Sequence, residues 1–177
     1  MYRCVALLAI RNGVAGDDAS ALVELMAKHE VGFDWEAVPP RILLDGEDVE
    51  EAIRTAEIGQ VVSIVAAVPD VREAMVLAQR ELAATHGRMV SEGRDQGSVV
   101  FPDADVRFYL TASAEIRAER RFRQMEEGGK DVSAEEIRTE INRRDHLDSS
   151  RSVGPLICPE GAIEVDTSSR SLEEVVD

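Results

Sequence analysis

Residues 2–10 form a nearly unbroken apolar run, YRCVALLAI, that closes near Asn12-Gly13 and predicts a short helix. Asp17 or Asp18 can cap a second helix that sets Leu22, Leu25, Met26 and His29 along one side. Residues 31–38 and 41–44 then flank Pro39-Pro40 and predict a small two-stranded hairpin ending at Asp45-Gly46. A helix is expected from about Val49, and the apolar stretch 61–68 continues helical until Pro69 stops it. Asp70 caps the next helix over 71–84, and His86-Gly87 ends it.

From about residue 88 the pattern changes. A short strand over 88–92 runs into Gly93-Arg94-Asp95, and a loop and turn through Phe101-Pro102-Asp103 lead to a strand over 105–110. Thr111 to Ser113 cap a helix rich in Glu and Arg that Gly128-Gly129 breaks. Ser133-x-x-Glu136 is a capping box for a helix running to about Ser149. A third strand is expected at 162–166, and Ser171 caps a last short helix. Strands separated by helices predict an α/β class, with one parallel sheet covered by helices on both faces. No internal repeat and no low-complexity linker interrupts the chain.

Composition narrows the functional classes. The 177 residues are 44% hydrophobic but only 4% aromatic, so a core must be assembled from Ala, Val, Leu and Ile. No apolar run approaches the ~20 residues needed to cross a bilayer. The opening run is too short for a signal peptide, is stopped by Arg11, and is followed by no clean cleavage site. Cys4 and Cys158 match no metal-ligand spacing, and a reducing cytoplasm is the expected setting. A net charge of −15 opposes nonspecific binding to nucleic acid or anionic membranes. Eighteen of the twenty basic residues are Arg, whose rigid fork grips phosphate with two hydrogen bonds. A genome that favours Arg codons explains the same bias, so position matters more than number.

Glu92-Gly93-Arg94-Asp95 places a carboxylate, a guanidinium and a second carboxylate after a predicted strand, where ligands of open α/β sheets gather. A loop salt bridge of Arg94 is the other reading of the same residues. Arg144, Asp148 and Arg151, at i, i+4 and i+7, share a face if the helix holds that far. Arg117, Arg120, Arg121 and Arg123 cluster on the preceding helix, either as a mobile clamp over a polyphosphate or as a solvated face.

Taken together, these segments resemble the bacterial cytidylate kinases. The matching stretches are Met1-Tyr2-Arg3, Gly46-Glu47-Asp48-Val49 with Ile53-Arg54-Thr55, and Ser63 with Val71-Arg72-Glu73. Gly93-Arg94-Asp95 with Val99-Val100-Phe101-Pro102-Asp103-Ala104, and Arg144-Asp145 through Asp148 and Arg151, complete the set. The resemblance implies a P-loop NTPase-like α/β fold with a helical and hairpin insert that binds the nucleoside monophosphate, and a helical lid. It implies a CMP-binding lobe over 1–87, with the family's insert at about 31–80, and the remainder of the nucleotide-kinase core over 88–177, with the lid at about 114–144. The implied reaction moves the γ-phosphate of ATP to CMP or dCMP, in a cytoplasmic monomer using Mg²⁺ with ATP. Arg3, Arg94 and Arg151 would hold the CMP phosphate and serve in transfer. Ser63, Arg72 and Asp95 would read cytosine, and Arg144 and Asp148 would contact the ribose. Arg117, Arg120 and Arg121 would belong to the ATP lid, and Glu92 would orient Mg²⁺ through water.

One family feature is absent from the 177 residues. The G-x-x-G-x-G-K-[ST] loop supplies backbone N–H groups, a Lys and a hydroxyl to ATP and its metal, yet no Gly-Lys-Ser or Gly-Lys-Thr occurs here and no glycine precedes Gly13. The expectation is a fragment of a true kinase, lacking its N-terminal strands and inactive by itself. The alternative is a non-catalytic CMP-binding or interaction protein that has lost the loop.

Overall fold

A computed structural model describes residues 1–129, 132–150 and 152–177, and the chain divides into two units, Met1–Met89 and Val90–Asp177. In the first, helix α1 (Tyr2–Arg11) is formed by the apolar run and buries Cys4, Val5, Ala6, Leu7, Leu8 and Ala9. It packs against α2 (Ala19–Lys28) and α3 (Ala56–Val65). Asp18 caps α2 as expected, its carboxylate accepting from the Ala21 N–H at 3.1 Å. Strands β1 (Val31–Asp34) and β2 (Arg41–Leu44) pair antiparallel with Phe33 opposite Ile42. A third strand, β3 (Glu47–Asp48), extends this sheet beyond the two strands expected. The joining residues Asp45 and Gly46 both have positive φ, 51° and 81°. That mirror-type turn matches the twist of flanking strands, which is why Asp-Gly returns the chain as a hairpin rather than merely ending one.

The expected helix from Val49 does not form. A short 3-10 turn, Ala52–Arg54, stands there, and α3 starts only after Thr55, whose hydroxyl accepts from the Ile58 N–H. Helix α3 ends at Val65, short of residue 68. Val68 must be extended because Pro69 follows, and its ψ of 118° shows it. Pro69 then opens α4 (Pro69–Ala84) at the first helical position, so Asp70 lies inside the first turn instead of capping it. Leu22, Leu44, Val49, Ile58, Val65 and Val71 are among the side chains sealed in one continuous core.

The second unit is more open. Residues 88–92, which run across the boundary at Met89, are loop, not strand: no described segment offers them a ladder partner, and Val90 is almost wholly exposed. The residues after Asp95 form a π-turn, Gln96–Val100, with i→i−5 hydrogen bonds from Val100 N to Asp95 O (3.2 Å) and Phe101 N to Gln96 O (2.7 Å). Strands β4 (Phe108–Thr111) and β5 (Ile163–Asp166) pair parallel, with Phe108 opposite Ile163 and Leu110 opposite Val165. The α/β class holds, but the expected three-stranded parallel sheet is two-stranded, and its first strand begins at Phe108 rather than Asp105. Ser113 caps α5 (Ala114–Glu127), which Gly128 ends, and α6 (Ala134–Ser150) packs on α5. A capping box of Ser171 and Glu174 starts α7 (Leu172–Val176). Among the described residues of this unit, the buried apolar side chains are Val100, Ala118 and Ile137. Phe108, Leu110 and Ile163 remain 64%, 62% and 53% exposed, so the expected helical cover of both sheet faces is not met there. No described helix is long and apolar enough to cross a membrane.

Candidate functional site

In the first unit, Arg3 points from α1 to the 3-10 turn, its Nη1 donating to the Ile53 carbonyl at 2.7 Å. That bond fixes one end of the guanidinium before any ligand arrives. Arg72 on α4 is 2% exposed. Its Nη1 donates to the Ala66 carbonyl at 3.0 Å, and its guanidinium lies over the Tyr2 ring at 5.6 Å from the centroid. Tyr2 and Arg3 are consecutive on α1, so the turn between α3 and α4 and the start of α1 share this cationic corner. Ser63 is half-buried on α3, and its hydroxyl has no hydrogen-bond partner among the described residues. Burial pushes the Cys4 thiol up, which leaves it a core side chain rather than a nucleophile.

In the second unit, the segment Gly93-Arg94-Asp95 ends against the π-turn. A Cβ at Gly93 would sit 2.8 Å from the Gln96 side chain, which would have to swing aside to admit one. Asp95 is 4% exposed, while its carbonyl accepts from the Val99 N–H at 2.9 Å. Arg94 remains exposed, and its Nε lies 3.4 Å from Oδ2 of Asp148, whose side chain is 8% exposed. This is an ion pair longer than a charge-assisted hydrogen bond. One turn earlier on α6, Asp145 Oδ2 pairs with Arg117 Nη2 at 2.6 Å.

Helix α5 delivers Arg117 and Arg120 to the carboxyl ends of the parallel strands. Arg117 Nε donates to the Ala112 carbonyl, just after β4, at 3.0 Å. Arg120 donates to Thr167 Oγ1 at 3.0 Å, to the Thr167 carbonyl, and to the Arg170 carbonyl at 3.2 Å, just after β5. Arg121 turns along its own helix to Gln124. Arg144 Nε is screened from solvent and has no hydrogen-bond partner among the described residues. The neighbouring Glu140 carboxyl is held below its usual range, first by a hydrogen bond from Arg143 and then by its charge and that of Arg144. Glu92 is an exposed loop carboxylate, and Arg151 lies outside the described residues.

The structure thus brings together Arg94 and Asp148 in one unit, and places Arg3 and Arg72 on neighbouring elements of the other. Asp145 and Thr167 were given no role by the sequence reading, yet they hold Arg117 and Arg120. The i,i+3 spacing of Asp145 and Asp148 was a visible signal; Thr167, 47 residues from Arg120, left none.

Arg117 and Arg120 at the carboxyl ends of the parallel pair, with Asp145 beside them, stand in an α/β architecture where ligands gather outside the strand ends. The family model described as cytidylate kinase matches residues 1–177. The cytidylate kinase of Aeromonas salmonicida (strain A449) is 44% identical over 176 residues, covering 99% of this chain and 76% of the relative. That of Caldanaerobacter subterraneus subsp. tengcongensis is 45% identical over 177 residues, covering 100% and 77%. That of Rhodococcus opacus (strain B4) is 47% identical over 182 residues, covering 99% and 77%. This chain belongs to the cytidylate kinase family, and its enzyme class is that of a phosphotransferase.

Proposed function

We propose that the chain binds CMP or dCMP as phosphoryl acceptor and works with ATP as donor. The observation that carries this reading is the 3.4 Å pairing of an exposed arginine, Arg94, with a nearly buried carboxylate, Asp148, directly beside the buried Asp95. In this reading Arg94, Arg3 and Arg151 hold the CMP phosphate, where guanidinium forks neutralise the dianion and the charge developing in transfer. Asp95 accepts from the cytosine amine, and Ser63 and Arg72 donate to its ring acceptors. Asp148 accepts from ribose hydroxyls, and Arg144 supplies the donor that its screened Nε provides.

Arg117, Arg120 and Arg121 face ATP in this account. Arg117 and Arg120 are engaged by Asp145, Ala112, Thr167 and Arg170, so taking a phosphate means exchanging these acceptors for phosphate oxygens. Mg²⁺ enters as the counter-ion of ATP. Among the described residues no three of His, Cys, Asp and Glu gather to hold a metal, and Glu92 alone does not make a cation site, so no step is assigned to the ion. A cytoplasmic monomer, with residues 1–87 as the CMP lobe and about 114–144 as the lid, completes the proposal.

The test is ATP-dependent CDP formation. The 177 residues alone should turn over no CMP, because they contain no Gly-Lys-Ser or Gly-Lys-Thr. Fused behind the strand and Lys-bearing loop of a family member, they should phosphorylate CMP far better than AMP. Asp95→Ala should lower kcat/KM for CMP by ~10–100-fold, the ~1–3 kcal/mol of an unpaired buried group. Equal use of AMP, or an indifferent Asp95→Ala variant, overturns the cytosine reading.

A further inference from the structure

We propose that the Arg94–Asp148 ion pair is a placeholder that makes the site select a ligand carrying phosphate and hydroxyl groups on one molecule. The inference rests on the reading of Arg94 as a phosphate ligand and Asp148 as a hydroxyl acceptor. Arg94 is solvent-accessible, its side chain 48% exposed, so an anion can reach it. Its carboxylate partner is nearly buried, at 8%. A phosphate arriving alone must compete with Asp148 for one guanidinium and bring its own charge close to that carboxylate. Like charges in a poorly solvated setting repel, which weakens binding of free phosphate. A hydroxyl donating to Asp148 relieves this, because the carboxylate gains a donor as it loses part of its hold on Arg94. A nucleoside arriving alone meets the mirror problem: its hydroxyls draw on a carboxylate that is already engaged by Arg94.

Phosphate and nucleoside therefore bind with positive coupling, and a nucleoside monophosphate, which carries both, is favoured over either part. The consequence is protection of the site from inorganic phosphate. The 3.4 Å separation fits such an exchange, since the pair is held by charge and has no short directed hydrogen bond to break.

The experiment is calorimetric titration of the 177-residue chain with CMP, cytidine and inorganic phosphate at constant ionic strength. Saturating phosphate should tighten cytidine binding about fivefold, and by reciprocity cytidine should tighten phosphate equally. Asp148→Asn should bind phosphate severalfold more tightly than the parent chain, bind cytidine more weakly, and lose the coupling. A merely structural role for Asp148 moves both affinities in one direction. Absence of coupling in the unmodified chain overturns the proposal without recourse to any variant, and so does an Asp148→Asn chain that weakens both ligands or leaves phosphate unchanged. If CMP binds and Arg94→Ala abolishes it while no coupling is found, only the placeholder fails. If CMP does not bind at all, the reading of the site itself fails and the placeholder with it.

Discussion

Met1–Met89 and Val90–Asp177 are held together by different forces. In the first unit α1 is packed against α2 and α3, and aliphatic side chains from α1 to α4 seal one core. In the second, a two-stranded sheet leaves Phe108 and Leu110 exposed, and α5 is tied to the strand ends and to α6 through Arg120 and Arg117. The contrast teaches that aliphatic packing holds the first unit, whereas the second leans on guanidinium contacts made far along the chain. It also puts the exchangeable charges where a phosphorylated ligand is expected, because groups already paired by ions can trade a carboxylate or carbonyl for a phosphate oxygen.

The largest expected effect separates the two cores. Leu22→Ala removes a side chain with no exposed surface and should cost ~2–5 kcal/mol in urea denaturation. Leu110→Ala, at a position 62% exposed, should stay within about 0.5 kcal/mol. Equal losses would erase the contrast. Next in size, Arg120→Ala removes hydrogen bonds to Thr167 and the Arg170 carbonyl and should destabilise the second unit by ~1–3 kcal/mol. Arg54→Ala, which breaks only an exposed pair with Glu50 in the first unit, should be nearly silent in the same urea denaturation.

The smallest effect is pH-dependent. Hydrogen bonds from His29 and from the Glu30 N–H hold the Asp45 carboxyl below its usual range. A depressed carboxylate stabilises the fold above the ordinary carboxylate range and loses that contribution as pH falls through its folded-state value. Asp45→Asn should therefore lower Tm slightly near neutrality, and the two melting curves should converge in acid. A difference that persists or grows at low pH contradicts this.

Much of the first unit was legible because caps and turns speak locally. Asp18 announced α2, and Asp45-Gly46 announced a turn, though its hairpin geometry needed both positive φ values to be recognised. Val49 and Pro69 misled: the helix expected from Val49 starts only after Thr55, and Pro69, expected to stop a helix, opens the next one. In the second unit Ser113, Gly128 and Ser171 marked their helices correctly. Residues 88–92 did not become a strand, because strand formation depends on a neighbour and not on composition. The candidate site was legible only as residue types: Arg94, Asp95, Arg144 and Asp148 stand out in the sequence, and the structure pairs Arg94 with Asp148. What spacing hid was partnership, such as Arg94 with Asp148 across 54 positions, or Arg120 with Thr167, since long-range contacts leave no periodic trace.

Whether these arginines and carboxylates recognise cytidylate can be measured directly. Titration of CMP and AMP into the 177-residue chain, with and without Arg94→Ala, measures this without requiring turnover. CMP should bind more tightly than AMP, weaken as salt is raised, and lose at least ~10-fold in affinity in the variant, as removal of a charged phosphate contact worth ~1.5–3 kcal/mol implies. Equal affinity for CMP and AMP, or CMP binding indifferent to both salt and Arg94, would contradict it.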